Sequence, residues 1–268
     1  MVIEPGRGWS AFDARDLWKH RELLYFLVWR DVKVRYKQTA LGVAWAVLQP
    51  LFMMLVFTLF FARVAGDTVG KVPYPLFAFA GLVPWTFFAN AVTTASNSLV
   101  GNAHLVTKVY FPRLLVPFAS IGGALVDFAL SFALLALVLL YYRLGLTWNI
   151  VALPGLILLC VTFALAVGTW LAGLNVKYRD VRFVLPFAIQ LWLFLSSVIL
   201  PSTAVPERWR WLLALNPMSA IIEGFRSSLL GRPFHWGALG IATALTLLSL
   251  LYSVYSFRRV ERDFADII

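Results

Sequence analysis

The chain has 268 residues, 61% of them hydrophobic and 13% charged, with a mean hydropathy of +0.80. Soluble domains lie near about 45–50% apolar and about 25% charged, so a soluble globular protein is excluded and an all-α integral membrane protein is expected. In that setting the net charge of +10 points to cytoplasmic loops and anionic membrane lipids, and not to nucleic acid.

Residues 1–40 are polar and mixed in charge, without the early apolar run of a signal peptide. They are expected to form a cytoplasmic N-terminal region. Within it, Tyr25, Val28, Val32 and Tyr36 share one helical face with Trp29 beside them, while Arg30, Lys33 and Lys37 fall on another. Asp31 and Arg35 are four apart, the spacing of a helical ion pair. The pattern fits an amphipathic helix lying in the membrane interface; the plainer alternative is a solvated charge cluster that sets topology.

A spanning helix takes about 20 mostly apolar residues to cross about 30 Å of hydrocarbon. Six stretches qualify: 41–62, 75–99, 114–142, 150–175, 183–200 and 236–257. Only the third carries a charge, Asp127. Between the fifth and sixth, 211–215 and 218–230 are apolar but too short to span. Asn216-Pro217 breaks them apart, and Asn216 is placed to cap the second piece. Two short re-entrant helices, packed on protein, are expected there. With both termini inside, 16 of the 23 Lys and Arg residues fall on the cytoplasmic side. The positive-inside rule therefore favours an N-in, C-in arrangement.

The chemistry-bearing residues are sparse. Cys160 is the single cysteine, and His20, His104 and His235 are far apart, so neither a disulfide nor a metal motif is expected. No catalytic constellation appears. "GDTVGKV" at 66–72 lacks both the length and the hydroxyl of a phosphate-binding loop. Asp127 is costly within a span and is a functional candidate by default. It would serve an ion-coupled carrier, or simply bond to a neighbouring helix. Aromatic residues occur at span ends, as in Trp85, Trp148, Trp209, Trp211 and Trp236, where an interfacial belt places them. Others lie inside spans: Phe52, Phe57, Phe60, Phe187, Trp192 and Phe194. They either face lipid or offer rings on which sugars slide, with Gln49 and Gln190 bonding to hydroxyls.

Four stretches resemble the permease subunits of the ABC-2 type transporter family, in the branch that exports O-antigen, capsule and teichoic acid polysaccharides. They are "WRDVKVRYKQTALGVAWAVLQP" from Trp29, "NAHLVTKVYFPR" from Asn102, "NVKYRDVRFVLPFAIQLWLFLSSVILP" from Asn175 and "LNPMSAIIEGFRSSLLG" from Leu215. They occur in the family's order. One departure is 196–201, "SSVILP", where the family often has Ser-Pro and an aromatic. That leaves the outer gate and substrate subclass less defined.

The resemblance implies a transmembrane domain over 41–268 and a permease without its own catalytic site. It implies a homodimer with two copies of a separate ABC ATPase, which would hold ATP and magnesium. The substrate would be a lipid-linked, undecaprenyl-type polysaccharide crossing the bacterial cytoplasmic membrane; an exporter of another lipid or a drug is the alternative. The first and fifth spans would line the path, with Trp45, Gln49, Phe52, Phe57, Phe60, Phe187, Gln190, Trp192 and Phe194. Arg30, Lys33, Arg35, Tyr36, Lys37, Leu41 and Gly42 would form the cytoplasmic entrance, with Gly42 allowing a bend. Asn102, His104 and Lys108 would dock the ATPase. Asn216, Pro217, Glu223 and Arg226 would form an outer lid, Glu223 and Arg226 pairing across three residues.

Overall fold

The structure, a computed structural model, describes residues 18–37, 44–69, 72–109, 111–145, 147–199, 201 and 205–261, with 64–69 as backbone only. The expected entrance residues Leu41 and Gly42 lie outside the described residues. Among those described, every regular element is helical. In chain order they are α1 (Arg21–Lys37), α2 (Ala44–Val69), α3 (Tyr74–Gly101), α4 (Ala103–Lys108) and α5 (Leu115–Tyr141). A 3-10 turn (Trp148–Ala152) leads into α6 (Leu153–Lys177), followed by α7 (Val181–Phe194), α8 (Glu207–Ala214), α9 (Pro217–Leu230) and α10 (Trp236–Glu261).

Among the described residues, five helices are long and apolar enough to cross a membrane: α2, α3, α5, α6 with its lead-in, and α10. They coincide with five of the six expected spans. The fifth expected span, 183–200, differs. Helix α7 has 14 residues, about 21 Å at 1.5 Å per residue, and the chain turns from 195 to 199. The apolar run is continuous in sequence, but its last carbonyls are bonded outside the helix, as described below.

Helix α3 is the hub. Of its most apolar stretch 78% is buried, against 6% for α2. In lipid there is no hydrophobic drive between helices, so close backbone approach and hydrogen bonds must hold them. Small residues provide that approach. A Cβ on Gly168 of α6 would lie 2.9 Å from the Ala95 Cβ of α3. The buried Asn175 of α6 adds a polar tie, donating to the Ser96 carbonyl at 3.0 Å. Helix α10 then packs on α6 and α9, with Phe257 against Gly173.

Helix α1 lies along α5. Leu23, Leu24, Leu27 and Val28 face the bundle, while Tyr25, Phe26, Trp29 and Val34 are exposed. The helix is thus apolar on two sides, not one, because a second surface is buried on the bundle. Asp31 bonds Arg30 at 2.8 Å, and not Arg35 as its spacing predicts, since Arg35 is taken by α5. The approach of α1 depends on Gly122, where a Cβ would lie 2.7 Å from Val28 Cγ2. Gly122→Leu is expected to lift α1 at an overpacking cost of about 1–3 kcal/mol. Amide exchange over 21–37 should rise about tenfold or more, with α5 still inserted; unchanged protection would refute this packing.

The ends of α9 are specified locally. Asn216 Oδ1 accepts from the Met218 amide at 3.1 Å, Pro217 occupies the first turn, and Gly231 stops the helix at φ 67°.

Candidate translocation site

A cleft of about 660 Å³ opens between α1, α2, α3 and α5. Its mouth is held by Asp127 of α5, whose carboxylate accepts from the Arg35 guanidinium and the Tyr36 phenol of α1. Burial, and then the bond to Asp127, hold the Tyr36 hydroxyl well above its ordinary range. It therefore stays protonated and donates. A carboxylate in a span is costly alone; here one cation and one hydroxyl offset that cost. Ser131 of α5 pins the start of α2 by donating to the Ala46 carbonyl at 3.3 Å.

The α3 wall of this cleft is polar: Thr86, Asn90, Thr93 and Thr94. Thr93 donates to Ala89 at 2.7 Å and Thr94 to Asn90 at 2.8 Å, which leaves their oxygens able to accept. The Asn90 side chain makes no hydrogen bond among the described residues. Trp45 and Gln49 of α2 face this wall, beside Phe87 and Phe128. The stripe was legible as polar residues four, seven and eight apart in an apolar span, but attention to charge and aromatics passes over it.

The expected path residues divide. Trp45, Gln49, Phe52 and Phe60 on α2, and Phe187, Gln190 and Phe194 on α7, are exposed on the single chain. Phe57 and Trp192 turn inward instead. Phe57 meets Phe61 edge-on at 6.0 Å and packs against the core. Trp192 packs on Phe88 at 5.1 Å and donates from Nε1 to Asn216 at 3.1 Å. Helical rotation decides between these outcomes, and both faces of each helix are apolar in sequence.

Of the residues expected at the entrance, Arg30 bonds Asp31 and Lys33 sits 5.6 Å over the Trp29 ring. At the end of α3, Asn102 turns back to bond Ser98 at 2.8 Å. His104 and Lys108 are exposed one turn apart on α4. Val106 anchors α4 in the cluster that also holds Leu27 of α1 and Leu115 of α5.

The expected lid pair is not a surface feature. Arg226 is fully buried. It pairs with Glu223 at 3.3 Å and lies 3.5 Å over the Phe77 ring. It donates to the carbonyls of Phe77 at 3.1 Å, of Val198 at 2.6 Å and of Ser197. Burial lowers its pKa to about 10, with Glu223 opposing, so it remains a cation at neutral pH. Gly81 makes the room, since a Cβ there would lie 2.5 Å from Nη2. Asn216 completes the knot by donating to Leu195 and Ser196 at the end of α7.

Comparison with known proteins agrees with this architecture. The chain is 33% identical over 257 residues to an O-antigen export system permease protein of Myxococcus xanthus, covering 95% of this chain and 98% of that protein. It is 24% identical to an O-antigen export system permease protein of Klebsiella pneumoniae, over 92% and 95% of the two chains. A polysialic acid transport protein of Escherichia coli is 23% identical, over 87% and 91%. The profile of the ABC-2 type transporter family matches residues 22–230, and with its bundle of membrane-crossing helices the chain belongs to that family.

Proposed function

We propose that this chain is the permease subunit of an ATP-driven exporter of lipid-linked, O-antigen-like polysaccharide in the bacterial inner membrane. The observation that carries the reading is the polar α3 wall, set beside Trp45, Phe87 and Phe128 in a cleft whose two charges, Arg35 and Asp127, are paired with each other. Threonine and asparagine bond sugar hydroxyls without a strong charge that would trap a sliding polymer, and the relatives named for O-antigen export support that substrate class. The exposed faces of α2 and α7 then meet those of a second copy, so that Phe52, Phe60, Phe187, Gln190 and Phe194 line a path between protomers. Helix α7 and the turn after it make the fifth of six crossings, with both termini inside and α8 and α9 forming the outer lid.

Two ATPase subunits, holding ATP and magnesium, dock on α4. His104→Glu with Lys108→Glu is expected to cut ATPase co-purification at least tenfold while the permease still inserts; full recovery of the pair would remove α4 from the interface. An ion-coupled carrier is the weaker reading, because Asp127 is engaged by Arg35 and Tyr36 and not by a proton relay. Deleting the gene tests the function. Surface glycan should disappear and lipid-linked glycan accumulate inside, with drug resistance unchanged; lost drug resistance with intact glycan would favour a drug exporter.

A further inference from the structure

At the cleft mouth one anion is gripped by two donors. Asp127 Oδ2 accepts from the Arg35 guanidinium and Oδ1 from the Tyr36 phenol. The pairs Arg30–Asp31, Arg210–Glu207 and Arg226–Glu223 each lie within one helix; Arg35–Asp127 instead ties α1 to α5. This pair is also open to the cleft. The Arg35 side chain is 30% exposed and that of Asp127 17%, whereas Arg226 is sealed at 0%. Among the described residues, Arg35, Tyr36 and Asp127 are the titratable groups that line the cleft. Gln49 and Asn90 line it beside them, and neither side-chain amide makes a hydrogen bond among the described residues. An arginine fork with a hydroxyl donor suits a phosphate as well as a carboxylate, since both present paired oxygens and negative charge. Asp127 thus fills, from within the chain, a site fit for an incoming anion. A lipid-linked glycan of the undecaprenyl type carries one, the diphosphate that joins lipid to sugar.

We infer that Arg35 and Tyr36 are the site for the diphosphate of the lipid-linked glycan, and that Asp127 is a built-in competitor which the diphosphate displaces. The inference rests on the polysaccharide reading above and names the part of the substrate that the cleft mouth recognises. Displacement has a mechanical result. Two anions beside one guanidinium repel each other, so a phosphate on α1 drives Asp127 of α5 away and cuts the tie between the two helices. When the phosphate leaves, Asp127 recaptures Arg35 and the mouth closes.

Binding of tritiated geranylgeranyl diphosphate to the full chain in nanodiscs tests it. Asp127→Asn removes the competing charge and should tighten binding about fivefold or more. Arg35→Gln should weaken it about tenfold or more, and Tyr36→Phe, which deletes one hydroxyl, about fivefold. In the wild-type chain the probe should speed amide exchange over 21–37. A purely structural Asp127 gives the opposite sign, because a loosened α1 in the Asn variant would bind the probe less well. Binding that is absent, or is unchanged or weaker in Asp127→Asn, would overturn the exchange of anions, and so would slower amide exchange on binding. Equal binding of geranylgeraniol would reduce the site to an apolar groove, and equal binding of inorganic diphosphate would remove the lipid linker from it; either overturns the assignment. Deleting the gene separates the two readings: surface glycan lost on deletion while no probe binds sinks this site alone, whereas glycan unaffected by deletion sinks the polysaccharide reading itself.

Discussion

Arg226→Met is expected to abolish export and to leave less than about a tenth of the protein folded in the membrane. The substitution keeps an unbranched apolar stem and removes the five guanidinium donors. Two buried carbonyls, at Ser197 and Val198, lose their partner at once, the Phe77 carbonyl within its helix loses a second donor, and Glu223 loses its cation. Each buried orphan costs roughly 1–3 kcal/mol, and breaking a buried ion pair from one side roughly 3–5 kcal/mol. Domain stabilities are themselves only about 5–15 kcal/mol, so these losses are decisive. Arg226→Lys should recover little, because an ammonium lacks the planar fork that reaches several acceptors together. Accumulation and thermal unfolding in detergent give the readout. A stable, exporting Met variant would show that the end of α7 is held by something else.

The second large effect is at the cleft mouth. Asp127→Ala is expected to insert and accumulate normally but to release α1 and block export. Arg35 is 30% exposed, so the loss should fall below the ~3–5 kcal/mol of a fully buried pair, at about 2 kcal/mol. That still corresponds to roughly 30-fold more frequent opening of α1, read as faster amide exchange over 21–37. Exchanging the charges, Asp127→Arg with Arg35→Asp, should restore protection in part. Asp127→Asn keeps an acceptor for Tyr36 and should fall between the two. Its effect on export should not vary with pH between about 6 and 8; a pH-dependent loss would instead identify Asp127 as a proton carrier.

The long helices could be read from the chain because each is an apolar run of the length that a bilayer demands. What escaped depended on contacts between distant residues. The run 183–200 reads as one continuous helix, yet the helix ends at Phe194 and the carbonyls of Ser197 and Val198 are taken by Arg226, which lies 28 residues beyond Val198. Arg226 itself reads as an outer-loop charge and is buried instead. Asp127 stood out as costly, but its partners are 91 and 92 residues away, and the nearer pairing of Asp31 with Arg35 was the natural expectation. Phe57 and Trp192 could not be told from Phe52 and Phe187, since apolar residues surround each helix and composition carries no record of rotation. The α3 stripe of Thr86, Asn90, Thr93 and Thr94 was present as a period and needed only to be counted.

The central claim is that this chain moves lipid-linked glycan when ATP is hydrolysed beside it. Proteoliposomes containing the chain and its partner ATPase, loaded with fluorescent lipid-linked glycan on the ATPase side, test it directly. ATP should make the glycan accessible to a glycosidase on the opposite side, and the chain without its ATPase should neither hydrolyse ATP nor move glycan. Glycan that stays in place while ATP turns over, or movement driven by a proton gradient alone, would contradict the account.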